Sequence, residues 1–103
     1  MPVINLKTEI PGPRSRELSE VRHEHVSPGP FHTTPMIAAH AEGSVVTDVD
    51  GNTFLDFSSG IGVTNLGHRD PTVMRAVAEQ AEKFVHTSIN GVAYEGYIRL
   101  AER

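Results

Sequence analysis

The sequence predicts an α+β segment: a proline-rich arm, then an antiparallel β-hairpin or three-stranded sheet, then helices. Three observations carry this. Six of the seven prolines fall within the first 35 residues. An Asp50-Gly51 pair lies between two strand-like runs. Further on, Asp70-Pro71 opens an apolar stripe at helical spacing.

Residues 1–35 read as an arm, because Pro2, Pro11, Pro13, Pro28, Pro30 and Pro35 each remove a backbone donor and fix φ. Extended regular structure is not expected there. The exception is a short helix from Ser15 through His25, with Ser15 as N-cap, Glu17 in the positive first turn, and Leu18 and Val21 on one face. Pro28-Gly29-Pro30 ends it. From Met36 the character changes, and residues 36–103 read as a second region. Runs at 44–49 and 52–57 flank the turn, with Val45, Thr47 and Val49 on one face of the first strand and Leu55 and Phe57 on one face of the second. Residues 58–69 form a loop rich in small residues. After Asp70 as N-cap and Pro71 at N1, Val73, Val77, Ala81 and Phe84, with Met74 and Ala78 beside them, line one helix face. A second helix starts near Tyr94 with Tyr97, Ile98 and Ala101 inward; no Gly, Asn or Pro follows it, so the chain is expected to end inside an element.

Composition bounds the function. At 103 residues one small core is the ceiling. The formal net charge is -4, and the 9 Lys and Arg are scattered singly, so no basic stripe tracks a nucleic-acid backbone. The absence of cysteine removes disulfides, thiolate zinc sites and cysteine nucleophiles. The N-terminus holds no apolar run long enough for a signal peptide or a span, so a cytoplasmic location is expected.

Local motifs carry little chemistry by themselves. Residues 48–52 resemble the opening of a calcium loop, but the sixth and twelfth positions are Thr53 and Ser59 where glycine and glutamate are needed, so a polar turn is expected. Gly60, Gly62 and Gly67 precede a helix, yet Asn65 stands where a dinucleotide fingerprint needs glycine and no Gly-Lys-Ser/Thr follows. What remains is a loop whose backbone can take positive φ or approach a ligand closely. His23 and His25 diverge on a helix and cannot share a metal, and His68 is expected to organise the loop beside Arg69 and Asp70. Asn90-Gly91 reads as a turn between helices, and Tyr94 and Tyr97 as core aromatics with their hydroxyls at an edge. No catalytic triad or carboxylate pair is selected by spacing.

Taken as an ordered string, residues 48–57, then Ser59-Gly60-Ile61-Gly62-Val63, then Asn65-Leu66-Gly67-His68, resemble the N-terminal segment of the class III aminotransferases, which use pyridoxal phosphate. The resemblance continues through Asp70-Pro71, Val77, Gln80, His86-Thr87, Tyr94-Glu95-Gly96-Tyr97 and Leu100-Ala101-Glu102-Arg103, covering roughly residue 11 to the end. Within the class it is most similar to the 4-aminobutyrate transaminating members, including the start Ile10-Pro11-Gly12-Pro13-Arg14-Ser15-Arg16-Glu17. The resemblance implies an α/β fold-type I transferase, with residues 36–103 as the N-terminal part of the small domain and the start of the segment leading to an absent cofactor-binding domain. It implies a homodimer or dimer of dimers acting on small amino acids and 2-oxo acids. Family members are several times longer, and their cofactor lysine, pyridine-facing aspartate and phosphate-binding turn lie downstream. Lys7 and Lys83 match none of these, so this stretch alone is expected to be inert and to hold no cofactor, with no catalytic residue of its own. By the same resemblance Ile61 forms an apolar wall of the substrate pocket, where ornithine transaminating members tend to carry an aromatic residue. Asn90 aligns with a site-facing glutamine, and its shorter amide can still donate a hydrogen bond. Gly91 and Gly96 replace commoner residues. Acetylornithine, ornithine or another ω-amino acid is the alternative substrate, and a stand-alone noncatalytic module the rival from another class. Phe54, Phe57, Phe84 and Tyr97 are expected to leave apolar patches open in the isolated chain.

Overall fold

In the computed structural model, which describes residues 2–103, the turn at residues 48–52 organises the first part of the chain. Strand β1 (Ala38–Glu42) pairs antiparallel with β2 (Val45–Asp48), which pairs antiparallel with β3 (Thr53–Leu55), giving one sheet in the order β1-β2-β3. Val45 faces Leu55, Val46 faces Phe54 and Thr47 faces Thr53. The β1–β2 register shifts between Ala38 and His40, which marks a bulge in β1.

The expected hairpin forms, with a longer loop than an Asp-Gly pair alone suggests. Gly51 takes φ +83° while Asp50 stays out of the left-handed region, and the Gly51 N–H donates to the Asp48 carbonyl at 3.0 Å. That is a three-residue connection closed by a glycine bulge. The buried face of β2 carries Val46 and Asp48, the alternate set to Val45 and Thr47. Asp48 needs that face because its carboxylate is the hub of the turn: Oδ1 accepts from the Asp50 and Asn52 amides, and Oδ2 accepts from the Asn52 side chain. The polar-turn reading of these residues therefore holds, and no group of acids or histidines that could hold a metal occurs among the described residues.

Helix α1 (Pro13–His25) begins two residues before the expected start, with Gly12 as N-cap and proline at N1. Ser15 is therefore inside the first turn and not its cap, and Glu17 lies beyond that turn. The acceptor comes from a distance: Asp50 Oδ1 takes the Arg14 N–H at 2.8 Å, and Oδ2 takes the Ser15 N–H at 3.0 Å and the Ser15 hydroxyl at 2.6 Å. The arm is thus more ordered than its prolines suggest, because the hairpin supplies the hydrogen bonds they cannot. Asn5 also pairs with Thr53 as an isolated bridge, and Asn52 binds Lys7 and Thr8.

The chain divides into two compact units, one ending at Asp70 and the other Pro71–Arg103. In the first, the fully buried side chains are polar: Ser15 and Asn52 at 0% exposure and Asp48 at 2%. Val46 is its buried hydrophobic residue, while Leu55 and Phe57 remain exposed. A hydrogen-bonded knot, more than an apolar core, joins arm to hairpin. In the second unit α2 (Pro71–Ala81) starts at the expected proline and α3 (Glu95–Glu102) follows Tyr94 as N-cap. Phe84 lies past the end of α2, and its ring meets Tyr94 edge-on at 5.7 Å, with Tyr97 a further 6.2 Å on. Val73, Met74 and Val77 stay exposed, as do Tyr97, Ile98 and Ala101, which the helical pattern places inward. Each helix is amphipathic, but two short helices offer too little surface to cover each other's apolar faces.

Candidate functional site

The loop 57–67 is closed at its base by side chains and backbone together. Before it, the Asp56 N–H donates to the Ser44 carbonyl at 2.9 Å; after it, His68 exchanges both backbone hydrogen bonds with Gly43, at 2.8 and 3.0 Å. Both ends of the loop are thus tied to the β1–β2 turn. Gly67 is required at this approach: it has φ +93°, and a Cβ there would stand 3.2 Å from the Gly43 Cα. Across the base, His68 Nε2 donates to Asp56 Oδ2 at 2.7 Å. The other carboxylate oxygen accepts from the Ser58 amide, the Ser58 hydroxyl and the Ser59 amide at 2.8 to 2.9 Å.

These donors, the His68 ring first and then Ser58 and Ser59, hold the Asp56 carboxyl well below the usual carboxylate range, outweighing the burial that opposes ionisation. A carboxyl depressed in the native state stabilises it fully above the ordinary value of about 3.9, and loses that contribution as pH falls towards the lower native value. A carbon-13 titration of the Asp56 carboxyl is therefore expected to have its midpoint clearly below about 3.9; a midpoint at or above it would contradict the clasp. The sequence reading of His68 as a loop organiser is correct, and the histidine does so through Asp56, 12 positions upstream. The available signal was an acid at one end of the glycine loop and a histidine at the other.

Within the loop the backbone turns tightly. Ile61 and Gly62 N–H groups donate to the Ser58 and Ser59 carbonyls, and Thr64 and Gly67 to those of Ser59 and Thr64. Ser59 and Ile61 take positive φ, 48° and 57°, alongside Gly60 and Gly62. A β-branched residue in the left-handed region costs on the order of 1–2 kcal/mol. That cost is spent on an isoleucine whose side chain is 96% exposed, so no packing in this unit accounts for it. Thr64 Oγ1 is buried with no hydrogen-bond partner among the described residues. The loop thus combines an exposed apolar side chain on a strained backbone with a buried hydroxyl that has no partner among the described residues.

Asn90 lies in the second unit, exposed, in the turn that precedes Gly91, whose N–H donates to the Ser88 carbonyl at 2.8 Å. The turn reading of Asn90-Gly91 is right, and Ile61 and Asn90 thus belong to different units. The two lysines lie in different units. Lys7 lies at the Asn52 end of the hairpin, with its Nζ 3.3 Å from where a Gly51 Cβ would be, at the opposite end of β2 from the Gly43–Ser44 turn that anchors the loop. Lys83 follows α2 in the other unit. Among the described residues no helix is long and apolar enough to cross a membrane.

The chain matches known proteins in sequence and in fold. The family described as "Aminotransferase class-III" matches residues 27–103. The chain is 46% identical over 98 residues to a 4-aminobutyrate aminotransferase of Mycobacterium tuberculosis, a match covering 95% of this chain and 22% of that protein. It is 48% identical over 81 residues to an acetylornithine aminotransferase of Mycobacterium leprae, covering 79% of this chain and 20% of the relative. Among solved structures, the acetylornithine aminotransferase from Elizabethkingia anophelis superposes with a TM-score of 0.67 at 32% identity, over 79% of this chain and 20% of that one. The chain thus spans about a fifth of the length of the relatives it matches.

Proposed function

Because the chain belongs to the class III aminotransferases, we propose that the protein of which it forms the N-terminal part transfers the amino group of 4-aminobutyrate to 2-oxoglutarate, giving succinate semialdehyde and glutamate. The observation that carries this reading is Ile61: an exposed, uncharged, aliphatic side chain held outward at positive φ. Such a surface suits the methylene chain of a short ω-amino acid that has no α-amino group, and it excludes water from that chain. The relative that matches 95% of this chain acts, by its name, on the same substrate. Asn90 contributes an amide that can hydrogen-bond substrate, with less reach than a glutamine.

Pyridoxal phosphate, the cofactor of the family, supplies the electron sink when held by the rest of the protein. This segment supplies none of the chemical step; it shapes and dries one wall of the pocket. Residues 36–103 form the start of the small domain, residues 1–35 its arm, and the intact enzyme is a cytoplasmic homodimer or dimer of dimers. The isolated 103-residue stretch is inactive. The 48% match to an acetylornithine aminotransferase favours one alternative, a longer substrate bearing an acylated α-amino group.

Steady-state assays of the full-length enzyme, loaded with pyridoxal phosphate and given 2-oxoglutarate, separate the two. We expect kcat/KM for 4-aminobutyrate to exceed that for N-acetylornithine by about tenfold or more, as differential contact with one part of a substrate allows. A preference in the opposite direction would overturn the assignment.

A further inference from the structure

Building on the transaminase reading, we infer that Asp56 and His68 are positioning residues, which clamp the two ends of loop 57–67 together and so fix where Ile61 meets the aliphatic part of the substrate. Neither residue need touch substrate. The loop leaves the sheet at Asp56 and returns at His68, and the backbone ties each end to the β1–β2 turn, by one hydrogen bond from Asp56 to Ser44 and by two between His68 and Gly43. Those tethers fix two points on the sheet but not the direction in which the loop rises between them. The Asp56–His68 hydrogen bond, at 2.7 Å, adds the third link and closes the base into a triangle. The same carboxylate also reaches into the loop, since its Oδ1 holds the Ser58 and Ser59 amides that begin the turn leading to Ile61. One side chain therefore connects the far end of the loop to the residues that orient its near end.

The strain in the loop gives this link a task. Left-handed φ at Ser59 and Ile61 is unfavourable for both residue types, and a free loop would relax to other backbone wells. Strained conformations persist where surrounding bonds over-determine them. Here the determining bonds are those at Asp56, whose carboxylate is only 11% exposed and whose histidine partner is 23% exposed. If the clamp opens, Ile61 keeps its chemistry and loses its place. The consequence falls on substrate binding, because the segment contributes no group to the chemical step.

The test uses the full-length enzyme with His68→Asn and His68→Gln. A glutamine amide nitrogen sits near the position of histidine Nε2 and can still donate to Asp56, whereas an asparagine amide is too short to reach it. We expect His68→Asn to raise KM for 4-aminobutyrate about tenfold with kcat changed less than about threefold, and His68→Gln to restore most of the loss. Hydrogen exchange supplies a readout independent of substrate: the Ile61, Gly62 and Thr64 amides should exchange faster in His68→Asn and near the wild-type rate in His68→Gln, with α1 unchanged in both. Asp56→Ala should match or exceed His68→Asn, and adding His68→Asn to it should change the exchange no further. Equal behaviour of the asparagine and glutamine variants, additivity of the double variant, or unchanged loop exchange in His68→Asn would each overturn the clamp. If the wild-type enzyme does not turn over 4-aminobutyrate, the substrate reading fails and the exchange data alone decide the clamp.

Discussion

Replacing Asn52 with alanine is expected to release Lys7 and Thr8 from the hairpin and to lower stability by about 3 kcal/mol. An asparagine side chain has two donor hydrogens and an oxygen with two lone pairs, and all four capacities are used here. Its Oδ1 accepts from the Lys7 amide at 2.6 Å and the Thr8 amide at 2.9 Å. Its Nδ2 donates to the Thr8 hydroxyl and to Asp48 Oδ2, both at 2.9 Å. Truncation at a fully buried position removes the acceptor from two amides and takes one donor from a carboxylate that is itself buried. Leaving buried polar groups unpaired costs about 1–3 kcal/mol each, and more for a charged one, although water entering the opened site recovers part. Asn52→Asp is the sharper variant: it keeps the shape but turns the donor facing Asp48 into a second acceptor, placing two carboxylates together. Chemical denaturation of the full-length protein and amide exchange at Lys7 and Thr8 read both effects. A change below about 0.5 kcal/mol, with the arm amides still protected, would show that the knot is not what holds the arm.

The same knot explains what the sequence disclosed and what it withheld. The hairpin, the start of α2 at Pro71, the turn at Asn90-Gly91 and the glycine loop were all legible, because each rests on residues within a few positions of one another. Proline at N1 and glycine at positive φ are local facts. The remote cap of α1 was not legible: Ser15 in sequence looks like an N-cap, and only the arrival of Asp50 from 35 positions away makes it a first-turn donor. Asn52 with Thr8, and Asp56 with His68, escape a local reading for the same reason. Hydrophobic patterning also misled in one respect. The stripes on α2 and α3 predict burial, but no residue of either helix is buried, since two short helices cannot supply it. For the candidate site, the conformation of Ile61 was not legible in its loop. Glycines there permit positive φ, yet it is an isoleucine that adopts it too. No propensity rule predicts that, and it is the observation on which the proposed substrate wall rests.

Gly12→Ala is expected to uncap α1 from outside and cost about 2 kcal/mol, although alanine suits the backbone there. Gly12 has φ -71° and ψ 174°, an extended conformation open to any residue, so backbone strain contributes nothing. What forbids the side chain is Asp50: a Cβ on Gly12 would stand 2.6 Å from the Asp50 Cβ, with the carboxyl group nearer still. Asp50 must swing away, and three donors at the start of α1 then lose their acceptor, the Arg14 amide and the Ser15 amide and hydroxyl. Burial opposes ionisation of the Asp50 carboxyl, but those hydrogen bonds and the Arg14 charge outweigh it and set the carboxyl below its ordinary range, so the displaced interaction is charge-assisted. A double-mutant cycle isolates the mechanism. Asp50→Gly removes the cap and every atom that the new methyl group would strike, so Gly12→Ala should be nearly neutral in that background while destabilising in the wild type. Exchange of the first-turn amides of α1, with the denaturation midpoint of the full-length protein, measures each corner of the cycle. Equal costs for Gly12→Ala in the two backgrounds would mean that glycine is required at position 12 for a reason unconnected with Asp50, and that the hairpin does not cap the helix.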